Sequence, residues 1–101
     1  MPVTVTINGR AMRALISGEI DHHGAREIMT ALDREIDGAL PNRLDLDLSG
    51  VTFMDSSGIA VLLRARRRMD ELDGRLTVEN IPTQPRRVLD AAGVGRVITL
   101  K

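Results

Sequence analysis

The sequence predicts an α/β fold of two layers, a mixed and mostly parallel sheet of about five strands with helices on one face. Three observations predict it. Apolar and polar residues alternate in the strand-like segments, as with Leu44, Leu46 and Leu48 against Asp45, Asp47 and Ser49, the pattern of a strand buried on one side only. Segments of helical period interrupt these strands. The order reads β-β-α-β-α-β-α-β, which calls for right-handed parallel crossovers. A doubly wound sheet would carry continuous apolar strands, buried on both faces. Alternation instead leaves a Thr- and Asp-bearing face towards solvent or a partner.

Val3, Val5 and Ile7 alternate with Thr4 and Thr6 in a first strand. Asn8-Gly9 is a strong hairpin turn, so a second strand from Met12 to Ile16 pairs antiparallel with the first. Ser17 to Gly24 reads as a loop. A helix from about His23 to Ala39 follows, with Ala25, Ile28, Met29, Leu32, Ile36 and Ala39 as its apolar stripe. Asp21 is placed to cap it, and Gly38 and Pro41 mark its end. The central strand then feeds Met54-Asp55-Ser56-Ser57-Gly58, a short loop that opens a second helix. Its stripe is Ile59, Leu62, Ala65, Met69 and Leu72, and Asp73-Gly74 makes the turn after it. Leu76 and Val78 alternate with Thr77 and Glu79 in a fourth strand. Beyond Pro82, Thr83 or Gln84 caps a third helix, with Pro85 in its first turn, where a missing N–H does no harm. Val88, Leu89 and Ala92 are its buried side and Gly93 ends it. Val97, Ile98 and Leu100 form a short last strand.

The chain has 101 residues, a length that suits one domain spanning 1–101. A hydrophobic fraction of 43% supports a packed core over disorder. That core is aliphatic, since one Phe is the only aromatic residue. Base stacking is therefore essentially unavailable. Lys plus Arg equals Asp plus Glu at 14 each, so no net charge favours nucleic acid or an anionic membrane. Without Cys, disulfides and Cys-ligated metal sites are excluded. The N-terminal segment lacks the features of a signal peptide, and no apolar run approaches a membrane span. The expectation is a cytoplasmic protein with no direct nucleic-acid or membrane partner and no cofactor.

The informative stretch is Met54-Asp55-Ser56-Ser57-Gly58. Hydroxyls sit here where a helix begins, beside unpaired backbone N–H groups and the positive end of the helix dipole. An oxygen-rich group is favoured there, and a phosphate more so. Helix capping by Asp or Ser explains the same residues without chemistry; the two readings are compatible, because one residue can cap while another is modified. Gly58 lies in the first helical turn, where Ala is locally better by about 1 kcal/mol. Close approach of another chain is the simplest account of it, and packing against the loop after the second strand is the alternative.

Other constellations carry less. Ser56 beside Asp55 lacks the ordered His of a hydrolase triad and the G-x-S-x-G elbow. His22 and His23 are adjacent on a helix and point about 100° apart, an arrangement that rarely shares one metal ion. Arg64, Arg66, Arg67 and Arg68 read as a solvated helix face, with Asp70 and Glu71 four residues after Arg66 and Arg67, in preference to a nucleic-acid patch. The loops after the second strand and before the second helix both follow strand ends. They therefore share one sheet edge, with Asp21 and Ser56 as neighbours.

F-M-D-S-S-G-I-A-V-L-L, with G-E-I-D-H-H upstream at Gly18 to His23, resembles the anti-sigma factor antagonists, the small STAS-domain proteins of bacteria. The resemblance runs over nearly all of the chain and implies the STAS fold. It implies that Ser56, directly after the Asp, is phosphorylated by a partner serine kinase that is also the anti-sigma factor. That kinase would supply ATP and Mg²⁺, and a phosphoserine phosphatase would reverse the step. Asp21, His22, Asp55, Ser56, Ser57 and Gly58 would form the partner-binding surface. The protein would then be a binding module and not an enzyme, with no catalytic or metal-ligating residue of its own. The alternative is a constitutive STAS scaffold or transport-system subunit that is not switched by phosphorylation.

Overall fold

The computed structural model of the protein describes residues 2–101. Its strands are β1 (Val3–Asn8), β2 (Ala11–Ile20), β3 (Arg43–Met54), β4 (Arg75–Glu79) and β5 (Thr99–Leu100). They form one sheet in chain order. β1 runs antiparallel to β2, and each later pair is parallel. The helices α1 (His22–Ala39), α2 (Ser56–Glu71) and α3 (Thr83–Ala91) connect the parallel strands. Because strand order follows chain order, right-handed crossovers lay successive helices on the same face.

The alternating residues sort as their chemistry demands. Met12, Ala14 and Ile16 of β2 and Leu44, Leu46 and Leu48 of β3 are buried against Ile28, Leu32 and Ile36 of α1 and Leu62, Ala65 and Met69 of α2. Burial of each such Leu or Ile is worth about 1.5–3 kcal/mol. The opposite face is polar and cross-linked. Arg13 of β2 reaches Asp47 of β3 at 2.8 Å and also Glu79 of β4. Asn80 donates to Asp47 at 3.1 Å, and Thr77 donates to Asp45.

β2 is longer than its apolar pattern suggests. The segment from Ser17 to Ile20, expected as loop, continues as strand alongside β3. The pairing survives because β3 bulges twice. Leu15 pairs with Asp47 but Ser17 with Gly50, and Gly18 pairs with Val51 but Glu19 with Phe53. Each step absorbs an extra residue of β3, which is how a bulge re-aims a strand. The inward series of β3 therefore changes from Leu44, Leu46 and Leu48 to Val51 and Met54, a pattern that strict alternation does not anticipate. Asp47 holds the first bulge by accepting the Ser49 N–H at 2.9 Å.

Other boundaries differ locally. Gly38 lies inside α1; Leu40 ends the helix in the left-handed conformation (φ 47°, ψ 57°), its N–H donating to the Ile36 carbonyl at 2.8 Å. Pro82, not Thr83 or Gln84, takes the N-cap position of α3, with no side-chain cap. Ala92 is exposed and follows the end of that helix. A 3-10 turn at Val94–Arg96 sends Val94 and Ile98 into the core and leaves Val97 outside. The last strand is accordingly only Thr99–Leu100.

The basic cluster of α2 is a solvated face, with Arg64, Arg66 and Arg67 exposed and Arg68 half-buried, but it is also tied to α1. Arg64 pairs with Asp33 of α1 at 2.7 Å, and Arg68 pairs with Asp33 at 3.1 Å and with Asp37. These carboxylates hold both guanidinium groups above their ordinary pKa. Arg66 faces Asp70 four residues on, at 3.9 Å, while Glu71 meets Arg68. Sequence spacing along one helix finds the Arg66 pair and misses the pairs that tie α2 to α1.

Candidate functional site

β2 and β3 end in register, with Ile20 paired to Met54 and both fully buried. The residue after each strand is an aspartate that caps a helix. Asp21 adopts an extended backbone (φ −93°, ψ −172°) and its carboxylate accepts the Gly24 N–H at 2.8 Å. Asp55 does the same for α2 (φ −116°, ψ −164°), accepting the Ser57 N–H at 2.7 Å. The Asp55 N–H in turn donates to the Ile20 carbonyl at 3.3 Å. The first turns of α1 and α2 therefore open side by side on one sheet edge, and Asp21 lies beside the Asp55-Ser56 step.

Asp55 takes the capping role, which leaves the adjacent hydroxyls free of it. Ser56 is the first residue of α2 and is exposed, whereas Ser57 is half-buried. A phosphate on Ser56 would sit at the positive end of α2 with solvent around it. His22 and His23 are also exposed, and His23 faces Glu27 one turn on at 3.3 Å. Among the described residues, no group of three or more His, Cys, Asp or Glu is placed to hold a metal ion. Among the described residues, no helix is long and apolar enough to cross a membrane.

Close packing requires both glycines of this site, Gly58 and Gly24. A Cβ on Gly58 would lie 2.8 Å from Sδ and 2.9 Å from Cε of Met54. The bare backbone at Gly58 thus serves the buried Met54 of the same chain. This replaces both earlier accounts, close approach of another chain and packing on the loop after β2. Gly24 plays the matching part in α1, where a Cβ would overlap the Glu19 carbonyl.

Gln84 is a residue of this site that the sequence did not single out beyond a possible cap. Its side-chain amide accepts the Met54 N–H at 2.9 Å and donates to the Met54 carbonyl at 2.8 Å. Phe53, the chain's one aromatic residue, is 40% exposed on the strand just before Met54. Nothing in the local pattern signals the Gln84 contact, which depends on where α3 begins relative to the end of β3.

The family described as "Mlab, STAS domain" matches residues 3–100. An anti-sigma F factor antagonist of Lysinibacillus sphaericus is 31% identical over 78 residues, which is 77% of this chain and 67% of that protein. The anti-sigma factor antagonist SpoIIAA in its unphosphorylated form superposes with a TM-score of 0.81 at 22% identity, over 98% of this chain and 87% of that one. The Bacillus cell fate determinant SpoIIAA in the phosphorylated form superposes with a TM-score of 0.73 at 22% identity, over 98% and 90% of the two chains.

Proposed function

This chain belongs to the STAS domain family, and on that premise we propose that it is an anti-sigma factor antagonist switched at Ser56. Unphosphorylated, it binds an anti-sigma factor serine kinase and so releases a sigma factor. The kinase brings ATP and Mg²⁺ and transfers a phosphoryl group to the Ser56 hydroxyl, which ends the interaction. A phosphoserine phosphatase resets it. The binding surface comprises Asp21, His22, Asp55, Ser56 and Ser57, while Gly58 acts from beneath through its packing on Met54.

The observation that carries this reading is the division of labour in Asp55-Ser56-Ser57: the carboxylate caps α2, and the Ser56 hydroxyl is exposed at its first residue. Phosphate adds about −1.5 to −2 charges at pH 7. At a helix N-terminus the fold tolerates that charge, so the penalty falls on the interface. SpoIIAA in its two forms matches this one architecture, which supports a switch that acts without refolding. Bulk and like-charge repulsion against acidic groups of the partner weaken binding about 100-fold or more.

Titration calorimetry of the unmodified and Ser56-phosphorylated protein against an anti-sigma kinase tests this. A loss of about 100-fold on phosphorylation is expected. Equal affinity of the two forms would favour a constitutive scaffold.

A further inference from the structure

We infer that Gln84 is a positioning residue for the Ser56 loop, standing in for a strand that the sheet lacks at that point. β4 pairs with β3 only as far as Glu79 opposite Asp47, whereas β3 continues to Met54. On its β2 side, the end of β3 is held by the Asp55 N–H bonded to the Ile20 carbonyl. Successive residues of a strand direct their backbone groups to opposite sides. The N–H and carbonyl of Met54 therefore point away from β2, to where β4 has already ended. Two strong polar groups there need partners.

Gln84 provides both. Its amide oxygen receives the Met54 N–H at 2.9 Å and its amide nitrogen donates to the Met54 carbonyl at 2.8 Å, the donor–acceptor pair that a neighbouring strand would present. Gln84 lies in the first turn of α3, which has no side-chain cap of its own. Met54 is thus fixed on β2 by register, on α3 by the Gln84 amide, and on α2 by its side chain against Gly58. The residue after it is the Asp55 cap and the next is Ser56. Among these contacts, the Gln84 amide is the one that couples the third helix to the loop, and it is made by a single side chain.

The functional meaning of this clamp rests on the reading of Ser56 as the phosphoacceptor, but the clamp itself can be tested separately. Gln84→Met keeps the length of the side chain and removes both hydrogen bonds. Amide hydrogen exchange on the full chain then reads the loop directly, under conditions where wild type and variant are folded. Exchange of the Ser57 and Gly58 amides, which bond to Asp55, is expected to speed up about tenfold, with the Gly24 and Ala25 amides of α1 unchanged. Equal rates in both proteins, or a uniform change across α1 and α2, would overturn the positioning role.

A second arm uses an anti-sigma kinase that phosphorylates the wild type. The variant is expected to lose about tenfold or more in kcat/KM for phosphoryl transfer, with phosphate appearing on Ser57 as well as Ser56. Loss of stability alone does not change which serine is modified in folded protein, so an unchanged rate and site would overturn the link to Ser56. A wild type that accepts no phosphate would refute the proposed switch and leave the exchange result to decide the clamp.

Discussion

The thioether of Met54 lies directly against Cα of Gly58, occupying the space where any other residue would place its Cβ. This contact joins the end of β3 to the first turn of α2 across the Asp55 cap. Met54 is fully buried, so it has little room to retreat. Gly58→Ala therefore destabilises the fold by about 1–2 kcal/mol, because overpacking outweighs the gain of about 1 kcal/mol in helix propensity. Urea denaturation checks the sign, and a stabilised variant contradicts the packing account. Combining the change with Met54→Ala should recover part of the cost, as expected for residues in direct contact.

Asp55 is the cap of α2, and its carboxylate accepts the Ser57 N–H. Asp55→Ala should lower stability by about 1 kcal/mol, while Asp55→Asn, which retains an acceptor oxygen, should lose much less. Thermal unfolding of the two variants separates capping from charge. Equal losses would mean that the negative charge, and not the hydrogen bond, is what the helix start requires.

Leu40 closes α1 with a positive φ of 47° and is 52% exposed. A left-handed conformation costs a residue with a Cβ roughly 1–2 kcal/mol. Leu40→Gly relieves that strain and should stabilise the protein by about 0.5–1 kcal/mol. A shift of the urea midpoint to lower concentration would show that the exposed Leu40 side chain contributes more than its backbone costs.

Asp47 should give the stability a pH dependence. Burial pushes its carboxyl up, but hydrogen bonds from Ser49, Asn80 and Arg13 outweigh burial and hold it below its ordinary range. A depressed folded pKa gives stability that is complete above the unfolded value of about 4 and is lost as pH falls through the lower folded value. Asp47→Asn should therefore be less stable than wild type by about 1–2 kcal/mol at neutral pH, with the gap closing below about pH 4. A gap independent of pH would place the effect in the amide's packing and not in the charge.

Much of the fold is legible in the residues because local pattern and packing agree. The alternation of Leu44, Leu46 and Leu48 marks the central strand, and the stripes of α1 and α2 reappear as core. The Asp21 cap is where cap chemistry puts it, whereas the hairpin turns on Gly9 and Arg10, one residue later than Asn8-Gly9, because Asn8 still pairs with Ala11 and only Gly9 takes a positive φ. What escapes is non-local. The bulges of β3 are set by its pairing with β2, with Asp47 bracing one of them. Arg64 and Arg68 find their carboxylates on α1, beyond the reach of spacing along α2. Gly58 shows that something requires a bare backbone, but only the fold identifies that neighbour as Met54. The site divides in the same way. Asp55-Ser56-Ser57 stands out in the sequence, whereas Gln84 lies 30 residues from Met54 and carries no local signal.

The central claim is that Ser56 is the switch. Intact-mass spectrometry after incubation with ATP, Mg²⁺ and an anti-sigma kinase, on wild type, Ser56→Ala and Ser57→Ala, tests it most directly. The account predicts a single phosphate on wild type and on Ser57→Ala, and none on Ser56→Ala. A wild type left unmodified by a kinase that is active on its own antagonist, or a phosphate retained by Ser56→Ala, would contradict it.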